Sequence, residues 1–376
     1  MKEMCRIGID ASSVREKFGG GKEQVLINLL KGLYDRGIAP VVYCKRVASA
    51  KILEACPNAE IVNLESFLEL RRGRTVRDIL TRTFVLPRKV IRSKIDILLF
   101  PVPLTGFAKF ACRTVVIPHD VQFKSNPSIN RGIKFKIIGF LYGADFMLRD
   151  AIVSISNYDR KEIAKHYSAF DDKIRMINNP IKFGECSKSN VNREKQYIFS
   201  NNLMHSHKNL DILLEAFAEI KERGWKGKLV IAGRLYCKDK KTRLILERLM
   251  DSGCLELTGY VSNERMNELI SGASLFVNPS SYEGFGMSAV EAMGMGTPCL
   301  LADNSAVREV TLGRASYYCP AEDARVLASA ISRALENPQP IEFLADTAKM
   351  IKSRYDYKKV TEKYIDMFEE LGRLNG

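Results

Sequence analysis

The chain has 376 residues, 46% hydrophobic and 27% charged, with 25 Gly and 13 Pro, proportions that exclude a disordered, collagen-like or disulfide-scaffold protein. At roughly 150 residues per domain it is expected to hold two domains, and its nine cysteines, an odd number without C-x-x-C spacing, read as reduced thiols in a cytoplasm rather than a disulfide or zinc framework. The formal net charge of +14 is uneven: residues 1–190 carry 33 Lys and Arg against 19 Asp and Glu, and the remainder is balanced at 25 and 25, so the first half is read as facing a polyanion or an anionic membrane surface.

The start of the chain runs directly into a strand pattern, with no signal peptide to be read. No apolar stretch reaches the ~20 residues of a transmembrane helix, since the best, 97–108, carries Pro101 and Pro103. Short β-branched runs predict strands at 5–10, 40–43, 60–64, 95–101, 114–118, 151–156 and 175–178. Amphipathic stretches lie between them; in 22–36, Val25, Leu26, Leu29, Leu30 and Leu33 share one helical face. Residues 71–94 hold nine Lys and Arg and one Asp interleaved with Val76, Ile79, Leu80, Phe84, Val85, Leu86, Val90 and Ile91. That pattern suits a segment in the headgroup layer of an anionic bilayer, or a solvated basic helix face. Arg131, Lys134 and Lys136 form a shorter cluster of the same kind.

The polar stretch 187–196 reads as a linker, after which strands recur at 197–200, 229–232, 255–258, 275–278, 298–301 and 316–319. Strands alternating with helices predict two doubly wound parallel α/β domains, 1–186 and 187–354. A final amphipathic helix within 355–376 is expected to pack on either of them. Such sheets bind ligands outside the carboxyl ends of their strands, which makes the cleft between the domains the expected site.

The stretch 278–298, NPSSYEGFGMSAVEAMGMGTP, carries the densest chemistry. A loop with Glu283 and Gly284-Phe285-Gly286 leads into a predicted helix that bears Glu291 one turn in. Glycines let backbone N–H groups approach a ligand, and the helix start offers partial positive charge to phosphate. From spacing alone, an ordinary turn with solvated glutamates is an equal reading.

The Glu-x7-Glu pattern within EGFGMSAVEAMGMGTP closely resembles the signature of the retaining family 4 glycosyltransferases. The run LTGYVSNERMNELISGASLFVNPSSYEGFG and the loop SNNLMHSHKNLDILLEAF are similar to further segments of that family, as are RIGIDASSVREKFGGGKEQVLINLLKGL, TVVIPHDVQF and VSISNYDRKEI in the first half. The resemblance implies the GT-B fold, two Rossmann-like doubly wound domains facing across a cleft, with a C-terminal helix able to cross back to the first. It implies that the first domain binds the acceptor and the second the nucleotide sugar.

Carried over residue by residue, the resemblance implies that Glu283 binds hydroxyls of the donor sugar and Glu291 the ribose. It places the backbone of Gly284, Phe285, Gly286 and Met287 at sugar and diphosphate, and Lys208 against the diphosphate, where it stabilises the leaving charge. It implies that His119, which by type alone could equally be a satisfied loop histidine, contacts the donor sugar near the reacting carbon, and that Gly19, Gly20 and Gly21, otherwise a flexible hairpin, belong to a loop closing on donor phosphates or acceptor. The family usually has an arginine a few residues before the lysine; here Asn201, Asn202 and Leu203 stand in that region. Asn202, Gly233 and Arg234 are counted with the donor-binding residues, and Arg234 or a first-domain arginine is the expected compensation.

No Asp-x-Asp motif occurs, and of the four histidines only His205 and His207 are neighbours, without ligand-spaced carboxylates or thiols. Metal-independent transfer without a resident cofactor is expected. The reading is then a retaining, peripherally membrane-bound, cytoplasmic hexosyltransferase on the inner face of the plasma membrane. Its first-choice donor is GDP-mannose, with UDP-linked sugars also allowed, and its acceptor a growing glycan on a lipid pyrophosphate at an anionic membrane. A non-catalytic nucleotide- or glycan-binding subunit of a glycan-assembly complex is the alternative. No nucleic-acid-binding motif accompanies the charge.

Overall fold

A computed structural model describes residues 5–15, 20–64, 74–125, 132–184, 196–201, 203, 205–235, 237, 239–304 and 306–373. They fall into two compact units, one made of Met1–Lys182 with Tyr355–Gly376, the other of Phe183–Arg354.

The first unit runs β1 (Ile7–Asp10), α1 (Gly21–Asp35), β2 (Val41–Cys44), α2 (Ser49–Ala55), β3 (Glu60–Asn63), α3 (Arg74–Phe84), α4 (Leu86–Ser93), β4 (Ile97–Phe100), β5 (Arg113–Val116), α5 (Gln122–Ser125), α6 (Ile133–Leu148), β6 (Ala151–Ser154), α7 (Asn157–His166) and β7 (Ile174–Met176). All seven strands are parallel, in the order β3-β2-β1-β4-β5-β6-β7. Every position of β1, β2, β4 and β6 is buried, as expected of strands covered by helices on both faces. On one face Leu86 and Val90 of α4, Tyr142 and Phe146 of α6 and Ile163 of α7 pack against alternate strand residues such as Tyr43, Leu98, Phe100 and Val116.

The second unit runs β8 (Tyr197–Asn201), α8 (Leu210–Glu222), β9 (Lys228–Ala232), α9 (Lys240–Asp251), β10 (Leu255–Gly259), α10 (Asn263–Ser271), β11 (Leu275–Asn278), α11 (Met287–Gly294), β12 (Cys299–Ala302), α12 (Val307–Val310), β13 (Ser316–Tyr318), α13 (Ala324–Glu336) and α14 (Ile341–Tyr355). Its six parallel strands repeat the scheme in the order β10-β9-β8-β11-β12-β13. Leu213, Leu214 and Phe217 of α8 and Leu327 and Ile331 of α13 close its core over Ile198, Leu229, Ile231 and Leu300. Side chains of Asp239, Ser262 and Asp323 cap α9, α10 and α13 by accepting backbone N–H bonds.

The last helix, α15 (Tyr357–Arg373), belongs to the first unit. It packs on α1, burying Val360, Thr361, Tyr364, Met367, Phe368 and Leu371. Tyr357 Oη donates to Asp35 at 2.7 Å, and Arg36 pairs with Glu362. Gly32 makes the approach possible, because a Cβ there would run into the Thr361 side chain.

Part of the basic stretch 71–94 is built into the fold, while Phe84, Arg88, Ile91 and Arg92 stay exposed. Leu86 and Val90 point into the core and are 0% and 2% exposed, because the sheet face needs cover. Arg82 is turned inward, its Nε donating to Asp10 at 2.6 Å and its Nη1 to the Leu104 carbonyl at 3.1 Å. Asp78 pairs with Lys45 at 3.0 Å. Residues 71–73, Arg131 and linker positions 187–195 lie outside the described residues.

Candidate functional site

A parallel sheet whose strand order reverses leaves a crevice at the reversal, outside the carboxyl ends of the two strands concerned. In the second unit these strands are β8 and β11. The loop after β8 carries Lys208 in the short 3-10 turn Ser206–Lys208, and the loop after β11 carries Glu283. Topology thus brings together two residues 75 positions apart: Lys208 Nζ donates to Glu283 Oε1 at 2.6 Å. Both side chains are largely buried, 19% and 13% exposed.

The pair is held by residues that sequence patterns did not single out. Asn278, the last residue of β11, donates from Nδ2 to Glu283 Oε1 at 3.0 Å. Its own Oδ1 accepts from Ser280 N at 3.1 Å. Asn209 takes a left-handed φ of 50° before α8 and donates to the carbonyls of Pro279 and Ala321, at 3.0 and 3.2 Å. Ser281 N donates to the His207 carbonyl at 2.8 Å. The lysine and glutamate loops are therefore stitched to each other by backbone. Burial alone pushes the Glu283 carboxyl up, but the Lys208 ammonium and the Asn278 and Ser280 donors outweigh it and hold it below the usual carboxylate range.

Gly286 begins α11 with φ 82°, a left-handed conformation that a side chain resists. It turns the chain so that the start of α11, with its partial positive charge, opens beside Glu283. Phe285 is 3% exposed, Met287 is the first helical residue, and Glu291 sits on the second turn. Burial pushes the Glu291 carboxyl up to about 7. Gly233, at the end of β9, has φ 90° and donates to the Gly259 carbonyl at 2.6 Å. The Arg234 guanidinium lies 5.3 Å over the Tyr260 ring, a cation–π contact at the neighbouring strand end. Asn202 lies outside the described residues.

In the first unit the reversal lies between β1 and β4. His119 follows β5, in a left-handed φ of 68° and 5% exposed, with Nε2 at 2.7 Å from the Pro101 carbonyl. A carbonyl only accepts, so Nε2 carries the proton and Nδ1 is an acceptor. Burial, helped by the Lys22 charge, depresses its pKa to about 3, so the ring is neutral at physiological pH. Gly20 precedes α1, and a Cβ there would meet nothing within 4 Å. Packing therefore does not demand glycine at that position. Gly21 opens α1, and Gly19 lies outside the described residues. Among the described residues no group of three or more His, Cys, Asp or Glu is placed to hold a metal ion.

The arrangement in the second unit offers a carboxylate for vicinal hydroxyls, an ammonium and a helix start for phosphate, and a second, weakly acidic carboxyl one turn along. Two family models match the chain: Glycosyltransferase Family 4 over residues 19–183 and Glycosyl transferases group 1 over residues 194–337. Among curated proteins, the putative glycosyltransferase EpsF of Bacillus subtilis is 26% identical over 260 residues, 65% of this chain and 67% of that one. The O-antigen chain mannosyltransferase B of Escherichia coli is 23% identical over 275 residues, 69% of this chain and 71% of that one. Among solved structures, the sucrose-phosphate synthase of Thermosynechococcus elongatus superposes with a TM-score of 0.80 at 16% identity, over 98% of this chain and 99% of that one. Anabaena HepE in complex with UDP and glucose superposes with a TM-score of 0.73 at 14% identity, over 98% and 100%.

Proposed function

The chain belongs to the family 4 glycosyltransferases, enzymes of the GT-B fold that act on nucleotide-diphosphate sugars, and from that premise we propose that it is a retaining hexosyltransferase using GDP-mannose to extend a lipid-linked cell-surface glycan. The observation that carries the donor half of the proposal is the Lys208–Glu283 pair at the β8/β11 reversal, with the start of α11 beside it. Glu283 accepts two sugar hydroxyls, and Lys208 lies against the diphosphate. Because the two loops are bonded to each other, the hydroxyl site and the phosphate site keep a fixed spacing across the anomeric carbon.

As the glycosidic bond to the diphosphate lengthens, negative charge grows on the leaving oxygen. The Lys208 ammonium and the α11 dipole stabilise it where it develops. The acceptor hydroxyl attacks from the same face, and its proton passes to the departing phosphate, so no side chain acts as covalent nucleophile. Glu291 accepts from the ribose hydroxyls. In the first unit the neutral His119, with Nδ1 as acceptor, is the candidate for a sugar hydroxyl.

Mannose is favoured by the likeness to the O-antigen chain mannosyltransferase B. A lipid-linked acceptor at the inner face of the plasma membrane is favoured by the confinement of the +14 charge to residues 1–190. The test is nucleotide release from a panel of GDP- and UDP-sugars with a lipid-pyrophosphate glycan acceptor. Acceptor-dependent turnover with GDP-mannose is expected, lost in Glu283→Ala and in Lys208→Ala. Full activity in both variants sinks the residue assignment, and turnover with a different sugar alone sinks the mannose reading.

A further inference from the structure

Two donors meet on one oxygen of Glu283. Lys208 Nζ stands 2.6 Å from Oε1, and Asn278 Nδ2 stands 3.0 Å from the same atom. Their chemistry differs, because an ammonium is drawn to any negative charge nearby, whereas an amide carries no net charge. The function proposed above, on which this inference rests, gives Lys208 a second task at the diphosphate. As the leaving oxygen gains charge, the ammonium is pulled from Glu283 at the moment when the carboxylate must keep its grip on the sugar hydroxyls. The neutral amide gains far less from the diphosphate and stays.

The position of Asn278 suits a donor that does not move. It ends β11, an inner strand paired in parallel with β8 on one side and β12 on the other. A strand holds a side chain more precisely than a loop does. Chemistry settles which way the amide faces. Ser280 N can only donate and lies 3.1 Å from one end, so that end is the carbonyl Oδ1, which accepts from Ser280 Oγ as well. The other end is then Nδ2, and it faces Glu283. An ionised aspartate accepts at both ends and an aliphatic side chain at neither, so neither type makes both bonds. Among the described residues the charged neighbour that lowers the Glu283 pKa is Lys208, and its neutral donors are Asn278 and Ser280.

We propose that Asn278 is a positioning residue for glycosyl transfer, holding the Glu283 carboxylate on the donor sugar while the Lys208 ammonium turns to the leaving diphosphate. The test compares the full-length wild type with Asn278→Ala and Asn278→Asp, in turnover of GDP-mannose or of the UDP-sugar that the wild type uses instead. Asn278→Ala is expected to lower kcat and kcat/KM alike by about tenfold, because the lost bond matters once Lys208 has turned away. GDP and UDP affinity should be unchanged, since neither brings a sugar to Glu283. The acid limb of the pH profile should move to higher pH in Asn278→Ala and further in Asn278→Asp, where a second carboxylate faces the first. Asn278→Asp is isosteric and keeps the Ser280 bonds, so it carries the test if Asn278→Ala does not fold. Wild-type kcat with an unmoved acid limb overturns the proposal. So does a loss of kcat matched by an equal loss of GDP and UDP affinity, which would make Asn278 merely structural. Absence of wild-type turnover with every sugar counts against the function proposed above. The Glu283 titration then decides this inference, followed by NMR of glutamate-labelled protein and assigned with Glu283→Gln: a rise in Asn278→Asp supports it and an unmoved titration overturns it.

Discussion

Lys208→Met removes the ammonium that lies 2.6 Å from Glu283 and leaves the carboxylate in place. With the side chains only 19% and 13% exposed, water compensates little for the lost partner. Breaking a buried pair on one side costs about 3–5 kcal/mol. The Asn278 and Ser280 donors remain on Glu283 and keep the cost near the lower end, about 3 kcal/mol. Lys208→Met with Glu283→Gln removes the orphan charge, so the double variant should be more stable than Lys208→Met alone, with a coupling of about 2 kcal/mol. The pH dependence has a definite sign. In the wild type Glu283 is held below its usual 4.5, so its contribution is present above that value and lost as pH falls through the folded pKa. In Lys208→Met burial acts with less opposition and the folded pKa rises, so stability is lost as pH rises past 4.5 instead. The gap between the two proteins must therefore widen from acid to neutral pH. Urea unfolding followed by Trp225 measures it, because this is the chain's only tryptophan, lies in the same unit and packs edge-on against Phe217 at 6.0 Å. Additive effects of the two substitutions within about 0.5 kcal/mol, or a gap that does not change with pH, would refute the reasoning.

Glu291 runs the other way. Its pKa is raised to about 7 by burial, so it weakens the fold as pH climbs from 4.5 towards 7. Glu291→Gln should raise the melting temperature above neutral pH while weakening nucleotide affinity. If the ionised carboxylate binds the ribose, wild-type affinity falls below about pH 7 and the variant's is flat, a contrast that calorimetric titration on either side of neutrality checks. Gly32→Ala places a methyl group against Thr361 and should destabilise the first unit by about 1–3 kcal/mol without affecting nucleotide binding by the second. Hydrogen exchange resolved between α1 and α8 distinguishes the two.

The thirteen strands among the described residues were legible. The inner ones are continuous apolar runs because helices cover both faces, whereas the edge strands β3 and β10 keep exposed positions and were legible from their β-branched residues. Their edges differ from expectation by one or two residues, as for β4, which spans Ile97–Phe100 within the predicted 95–101. Glu283, Glu291 and Lys208 were nominated through family resemblance, and the sheet order brings the first and last together. Asn278, Asn209 and Ser281 were not, since each acts by joining two loops that are distant in sequence, and a lone Asn or Ser has no periodicity. The basic stretch 71–94 was legible only in part, for the same reason. Its pattern could not show that Arg82 meets Asp10, 72 residues earlier, or that Leu86 and Val90 point to the sheet. An amphipathic pattern such as that of α15 reports that a face will be covered, and is silent about which surface covers it.

The return of α15 to α1 sets an order of events during synthesis. While the ribosome is still making the second unit, every strand of the first unit has already emerged, yet α1 lacks the cover that Tyr364, Met367, Phe368 and Leu371 will supply. The second unit draws on one continuous stretch, Phe183–Arg354, and can close as soon as that stretch is out. The second unit is thus expected to close before the first is complete, because α15, translated after it, completes the fold that β1 and α1 began.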